Sequence, residues 1–257
     1  MTVLYSSPIF GPVHSRRLGL SLGINLMPAD GKRCTFDCVY CECGLNGDFP
    51  TQSPRPTRGE VARQLEAVLR RMEAEGRLPD VLTFAGNGEP TAHPDFPAIV
   101  DDVVALRDRL APQAKVSVLS NATRCQRPDV REALLKVDNN IQKLDTVSAD
   151  YIRRVNRPGA AYDVERVVDA LMAFRGHVIV QTMFMQGEAD GFDTDNTGEE
   201  YVGPWLEALR KIAPQGVMIY TVARETPLPG LQKAAPATLD AIAARVRELG
   251  LPCSVSY

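Results

Sequence analysis

Cys34-Thr-Phe-Asp-Cys38-Val-Tyr-Cys41 places three thiols within eight residues, and the rest of the chain is read outward from that stretch. Gaps of three residues and then two can turn the three sulfurs onto one iron-sulfur cube. A 4Fe-4S cube takes four ligands. A loop that offers three leaves one iron free for an exogenous ligand, as a catalytic zinc site keeps one position open. A bacterial ferredoxin run has a different order of gaps and a proline after its last cysteine; here Glu42 follows Cys41. A zinc knuckle would need a second cysteine pair or spaced histidines downstream, and His14, His93 and His177 are not spaced as a pair. A thioredoxin-like dithiol could use Cys38 and Cys41 but would leave Cys34 without a role.

With Tyr40 just before the last ligand, Cys34-x3-Cys38-x2-Cys41 resembles the signature of the radical S-adenosylmethionine (SAM) superfamily. The flanking Gly11-Pro-Val-His-Ser-Arg-Arg-Leu-Gly19 and Cys41-Glu-Cys-Gly44 resemble the branch that includes the wyosine (tRNA imidazoguanine) synthases. The superfamily resemblance implies that Cys34, Cys38 and Cys41 hold a 4Fe-4S cluster whose open iron is chelated by the amino and carboxylate groups of SAM. It further implies an external electron donor of flavodoxin or ferredoxin type, reductive cleavage of SAM, and a 5′-deoxyadenosyl radical that abstracts hydrogen from a substrate. By branch resemblance that substrate is a tRNA base. A glycyl-radical-enzyme activase or a small-metabolite enzyme is the alternative, and an iron-sulfur electron carrier or zinc-binding module is the non-enzymatic one. Archaeal wyosine synthases carry further cysteines ahead of the main motif for a second cluster, and no cysteine precedes Cys34 here.

A chain of 257 residues with 44% hydrophobic content is long enough for one sizeable α/β domain spanning 1–257. The formal net charge of −3 advertises no polyanionic partner globally, although local basic patches are compatible with it. Met1 to Arg17 lacks a cationic segment followed by an apolar run, and nowhere do 18 apolar residues run uninterrupted. Six cysteines, four of them between 34 and 43, are a poor disulfide framework. These features place the chain in the cytoplasm, away from membranes.

Apolar runs alternate with helical periodicity along the chain. Leu18 to Met27 reads as a first strand that delivers the chain to the cysteine loop. Thr57-Arg-Gly-Glu60 is a capping box ahead of Val61, Leu65, Val68, Leu69 and Met72 at helical spacing. Further strands are expected at 81–85, 115–119, 143–147, 177–185, 217–222 and 253–257, with helices between them and a polar loop from Gly187 to Glu200. Six β-then-α units imply a partial (β/α)6 barrel with a parallel sheet, the fold that the resemblance also implies; a flat doubly wound sheet is the alternative.

The unusual residues fall where strands hand over to helices, and in parallel α/β architectures those ends share one mouth. Gly86 and Gly88 let a backbone approach a ligand closely, and Glu89 adds a charge that suits an α-ammonium. By resemblance Gly86-Asn-Gly-Glu89 is the motif that contacts the methionine amino group of SAM; an ordinary βα turn is the plainer reading. Asn121, Ser148 and Asp150 are candidate hydrogen-bonding partners for the ribose or carboxylate of SAM, and equally candidate helix caps. Tyr40 and the 217–222 strand are expected beside the adenine. Cys43 reads as a free thiol near the site, and Cys125 and Cys253 as packed thiols. Arg16, Arg17, Arg153, Arg154 and Arg157 are candidate phosphate or carboxylate contacts, set against a solvated lid from Glu188 to Glu200 with six carboxylates and no basic residue.

Overall fold

The computed structural model describes residues 2–15 and 19–257. Its frame is an eight-stranded sheet in the order β1 (Ile9–Ser15), β2 (Gly19–Ile24), β3 (Val81–Phe84), β4 (Lys115–Ser120), β5 (Asn139–Lys143), β6 (Ile179–Met183), β9 (Gly216–Tyr220) and β11 (Cys253–Ser256). From β2 to β11 every pairing is parallel, while β1 runs antiparallel to β2. The sheet curls into a half-barrel, as the alternation of strands and helices predicts. Its outer face is covered by α1 (Arg58–Ala74), α2 (Phe96–Leu110), α3 (Pro128–Leu134), α5 (Val164–Met172), α6 (Glu199–Ile212) and α7 (Pro236–Glu248). A short α4 (Ala149–Tyr151) continues into a π-helical turn over Ile152–Asn156.

The helices form where the sequence marks them. Thr57 and Glu60 close the expected capping box on α1, and its Val61, Leu65, Leu69 and Met72 face the sheet and are buried. Each contributes about 1.5–3 kcal/mol by leaving water. Asp163 caps α5 through the amides of Glu165 and Arg166. The two faces of the sheet differ in kind. Leu22, Ile24, Leu82, Phe84, Val116, Val118, Val180, Val217 and Ile219 join one apolar core with the helices. On the opposite face, cross-strand rows carry Ser21, Thr83, Ser117, Lys143 and Gln181, and the Ser21 and Thr83 hydroxyls lie 2.8 Å apart. The concave side of the half-barrel therefore carries a polar row, beside apolar residues such as Ile141 and Ile179.

Three elements differ from the sequence-based expectation. The sheet begins one strand earlier, at β1, so the cysteine loop follows its first parallel strand, β2, rather than the first strand of all. The strand expected at 143–147 lies at 139–143 because Asn139, Asn140 and Gln142 read as loop residues, yet Asn140 and Gln142 are buried and bonded to each other. The expected polar loop at 187–200 contains β7 (Met185–Ala189) and β8 (Phe192–Asp193), which join β10 (Leu231–Lys233) in a second, antiparallel sheet.

Candidate active site

The cysteine loop is clamped from two sides. Toward β3, the Arg33 amide donates to the Asn87 carbonyl at 2.8 Å and the Glu89 amide to the Arg33 carbonyl at 3.3 Å. Toward the π-helical turn, the Asp37 amide donates to the Asn156 carbonyl and the Val39 amide to the Val155 carbonyl, both at 2.9 Å. Inside the loop the Asn46 side chain accepts from the Cys34 amide and donates to the carbonyls of Cys34 and Phe36.

All three motif thiols are free, and each has a donor or cation beside it. Asn121 Nδ2 is 3.5 Å from Cys34 Sγ, and Asn156 Nδ2 is 3.6 Å from Cys38 Sγ. Lys32 is buried beneath the loop, its Nζ donating to Asp37 Oδ1 at 3.1 Å and to the Gly44 carbonyl at 2.8 Å. Burial pushes the Cys34 thiol up, with Glu89 adding to the shift, and burial pushes Cys38 up to about 11. Cys41 goes the other way, lowered by the adjacent Cys43 thiol and by Lys32, while Cys43 is raised by its closeness to Cys41 and by burial. Metal-ligating sulfur must be thiolate. Three thiols with N–H donors aimed at two of them and a buried ammonium to offset their charge form a donor set that fits an iron-sulfur cluster. Cys43 also lies 3.5 Å from the Gly86 carbonyl.

Gly86-Asn-Gly-Glu89 forms the turn after β3. Gly88 has φ +147°, and a Cβ there would lie 1.8 Å from the Arg33 carbonyl oxygen, so only glycine lets this turn meet the cysteine loop. Asn87, fully buried, holds the turn down through the Pro28 and Tyr5 carbonyls. The Glu89 carboxylate accepts from the Thr91 amide and hydroxyl and, at 2.7 Å, from the Asn121 amide, so it ties the end of β3 to the end of β4. Burial raises its pKa. Asn121 in turn donates to Thr35 Oγ1 at 2.8 Å, so Cys34, Glu89 and Asn121 form one connected patch.

A second patch meets the other flank of the loop. The Tyr40 hydroxyl donates to Asp145, and Asn156 Nδ2 reaches both Asp145 Oδ2 at 2.9 Å and the Tyr40 oxygen at 3.1 Å. Lys143 Nζ donates to the Tyr220 hydroxyl at 2.9 Å, stands 3.5 Å from Asp145 Oδ1 and lies over the Tyr40 ring. Burial drives the Tyr40 hydroxyl pKa well up, and Asp145 adds to the shift; on Lys143 burial pulls the pKa down, but Asp145, Tyr220 and Cys38 together outweigh it and hold the ammonium pKa above its ordinary value. Over this patch β7, β8 and β10 bring a separate apolar cluster: Val39, Tyr151, Val155, Met183, Met185 and Val222, with Phe192, Tyr201, Leu228 and Leu231 against it.

The structure thus brings Cys34, Cys38, Cys41, Tyr40, Gly86, Gly88, Glu89 and Asn121 together. Two other candidates are held by local contacts. Ser148 is the N-cap of α4, and Asp150 is exposed and pairs with Arg153 and Arg154. Arg157 pairs with Asp190. Arg16 and Arg17 lie outside the described residues. Cys125 is buried and donates to the Ala122 carbonyl, and Cys253 belongs to β11. The sequence reading missed Lys143, Asp145, Asn156 and Tyr220. Lys143 and Asp145, two residues apart at a strand end, were a usable signal once the strand is placed at 139–143. The segment from 188 to 200 is only partly the solvated lid expected: Glu188, Asp190, Asp193, Glu199 and Glu200 are exposed, but its first half is a sheet with Ala189 buried and Phe192 against the apolar cluster.

The model of the radical SAM superfamily matches residues 30–193, which includes the cysteine loop, the turn after β3 and both patches except Tyr220. The chain belongs to the radical SAM superfamily. It is similar to a UPF0026 protein of Synechocystis, 34% identical over 86% of this chain and 77% of that protein. A UPF0026 protein of Methanocaldococcus jannaschii is 34% identical over 68% of this chain and 53% of its own length. A protein of Brachyspira hyodysenteriae named as the GTPase Obg is 28% identical over 87% of this chain, which spans only 31% of that relative. Among solved structures, a radical SAM methyltransferase of Sphaerobacter thermophilus superposes with a TM-score of 0.66, 16% identity, and coverage of 92% of this chain and 66% of that one. A TYW1 with a lysine–pyruvate adduct gives 0.63, with 14% identity, 89% of this chain and 73% of that one. Radical SAM enzymes use a 4Fe-4S cluster and SAM and need an electron donor. No helix among the described residues is long and apolar enough to cross a membrane.

Proposed function

We propose that Cys34, Cys38 and Cys41 hold a 4Fe-4S cluster with one open iron, and that the chain binds SAM between its two patches. When bound and reduced, the cluster supplies the electron that cleaves SAM to methionine and a 5′-deoxyadenosyl radical. The observation that carries this reading is the connection of Cys34, the glycine turn and Asn121 into one patch at the shared mouth of the half-barrel. In it, Gly86 and Gly88 shape the backbone against which the methionine half lies, and Glu89 and Asn121 fix the edge of that cradle. On the other flank, Tyr40, Lys143 and Tyr220 supply rings and polar groups to the nucleoside half. The apolar underside of the antiparallel sheet excludes water from that side.

The substrate reading follows from the rim. A polyribonucleotide is gripped by cations free to pair with phosphate. Here Arg153 and Arg154 share the single carboxylate of Asp150, Arg157 pairs with Asp190, and the segment from 188 to 200 carries six carboxylates, Asp190 among them. On the Cys38 flank these charges favour a small or peptidic substrate under the antiparallel sheet over the tRNA base that the wyosine-branch resemblance suggests. Anaerobic incubation with SAM, reductant and bulk tRNA separates the two. The reading expects no more 5′-deoxyadenosine than the tRNA-free control and no new nucleoside by mass spectrometry. A tRNA-dependent rise with a new nucleoside would restore the tRNA base.

A further inference from the structure

One basic feature is left over by the site. Arg33, Arg55 and Arg124 gather on the Cys34 flank of the cysteine loop. Arg33 adjoins Cys34 in sequence, and Arg124 adjoins Thr123, whose hydroxyl lies 2.7 Å from that of Thr35. Arg33 and Arg124 therefore flank the same loop-to-β4 contact. Arg55 comes from the segment ahead of α1, and Arg33 Nε reaches into that segment, donating to Thr51 Oγ1 at 2.6 Å. Arg55 is the least satisfied of the three, since its Nε is buried and has no hydrogen-bond partner. A buried donor without a partner is costly to the fold.

Among the described residues, none of the three arginines forms an ion pair. The carboxylates of the same loop are committed elsewhere. Asp30 accepts from the amides of Gln52 and Ser53, and Asp37 from Lys32 and the Asn46 amide. Burial lowers the Arg55 pKa, and the nearby charges of Arg33 and Arg124 add to the shift. In a chain with net charge −3, three adjacent guanidinium groups without a counter-ion mark a site for an external anion.

We propose that Arg33, Arg55 and Arg124 are the docking surface for the carboxylate-rich face of a small acidic electron-transfer protein of the flavodoxin type. This inference rests on the proposed cluster site. The placement favours a donor over a polyanionic substrate. The patch adjoins the ligand Cys34, whereas the antiparallel sheet and the Tyr40–Asp145–Lys143 network lie on the Cys38 flank. In the transfer, flavin hydroquinone loses one electron and becomes semiquinone, and the oxidised cluster gains that electron. No bond to the protein forms or breaks. Rim charges of this kind steer encounter and make it salt-dependent.

The test uses the full chain with Arg55→Glu/Arg124→Glu and a reduced bacterial flavodoxin. In NMR titrations of 15N-labelled flavodoxin with the cluster-free protein, the double variant should bind at least about 10-fold more weakly than wild type, and added salt should weaken wild type most. On reconstituted protein, stopped-flow reduction of the cluster by flavodoxin should slow to the same degree, while reduction by the cationic methyl viologen radical should not slow. Milder Arg55→Gln and Arg124→Gln variants should fall between if the double variant loses solubility. Unchanged flavodoxin binding and reduction would overturn the proposal, as would weaker retention of tRNA with flavodoxin binding intact. A wild type that binds flavodoxin but takes up no iron would sink the cluster assignment while leaving the docking surface standing.

Discussion

The two flanks of the cysteine loop are held in place by different means. On the Cys34 flank, main chain meets main chain: Arg33 pairs with the Asn87–Glu89 turn, and the missing Cβ of Gly88 makes the approach possible. On the Cys38 flank, the main-chain bonds to Val155 and Asn156 are joined by a side-chain network of Tyr40, Asp145, Asn156, Lys143 and Tyr220 beneath an apolar sheet. A backbone contact fixes geometry whatever ligand arrives, whereas a side-chain network can be tuned residue by residue. In the proposed reading the first flank shapes the cradle of the methionine half of SAM, and the second meets the nucleoside half.

The largest effect expected is on the loop itself. Cys34→Ala, Cys38→Ala or Cys41→Ala should each reduce iron from about four per chain to near background after anaerobic reconstitution, while Cys43→Ala keeps it. If Cys43 proved essential and one of the other three dispensable, the two flanks would not share an open-iron cluster.

The backbone flank should be nearly intolerant of a single methyl group. Gly88→Ala meets the Arg33 carbonyl at 1.8 Å, and urea denaturation should show a loss of roughly 3 kcal/mol or more together with lost SAM binding. Gly159→Ala, whose added Cβ finds nothing nearer than the Thr35 carbonyl at 3.6 Å, should change stability by less than about 0.5 kcal/mol. Equal effects at the two sites would dissolve the contrast.

The side-chain flank should show coupling instead. Lys143→Met strands Asp145, whose side chain is only 2% exposed, and should cost about 3 kcal/mol. Lys143→Met/Asp145→Asn should recover much of that loss, because neither charge is then left alone. A double-mutant cycle by chemical denaturation reads the difference, and strict additivity would mean that the network is not a unit.

The smallest effect is a pH dependence. Burial holds the folded-state pKa of Glu89 above its ordinary 4.5, so its contribution favours the folded apo protein below the unfolded pKa and is lost as pH rises through the folded one. Denaturation midpoints of the apo protein should fall with rising pH in that window in wild type, and less so in Glu89→Gln. An equal slope in both would place the dependence elsewhere.

Much of this could be read from the residues in order. Cysteine spacing, the Thr57–Glu60 capping box, the Asp163 cap and the glycine turn are local signals, set by chemistry within a few positions, and the structure shows each element where it was expected. The network on the Cys38 flank was not legible, because Asn140 and Gln142 are polar residues buried in a strand and looked like loop. Moving β5 by four residues turns Lys143 from the start of a strand into its end, and so moves it to the mouth. The antiparallel sheet was illegible for another reason: β7 and β10 are about 40 residues apart, and Gly187 at φ +103° passes close to the Gly230 carbonyl, a contact that no local pattern announces.

The most direct test of the central claim is product release from reconstituted protein without substrate. Under anaerobic conditions with SAM and reductant, wild type should release 5′-deoxyadenosine and methionine in equal amounts, and Cys41→Ala should release neither. A wild type that carries its full iron content and still leaves SAM intact, or a Cys41→Ala that cleaves it equally well, would contradict the account.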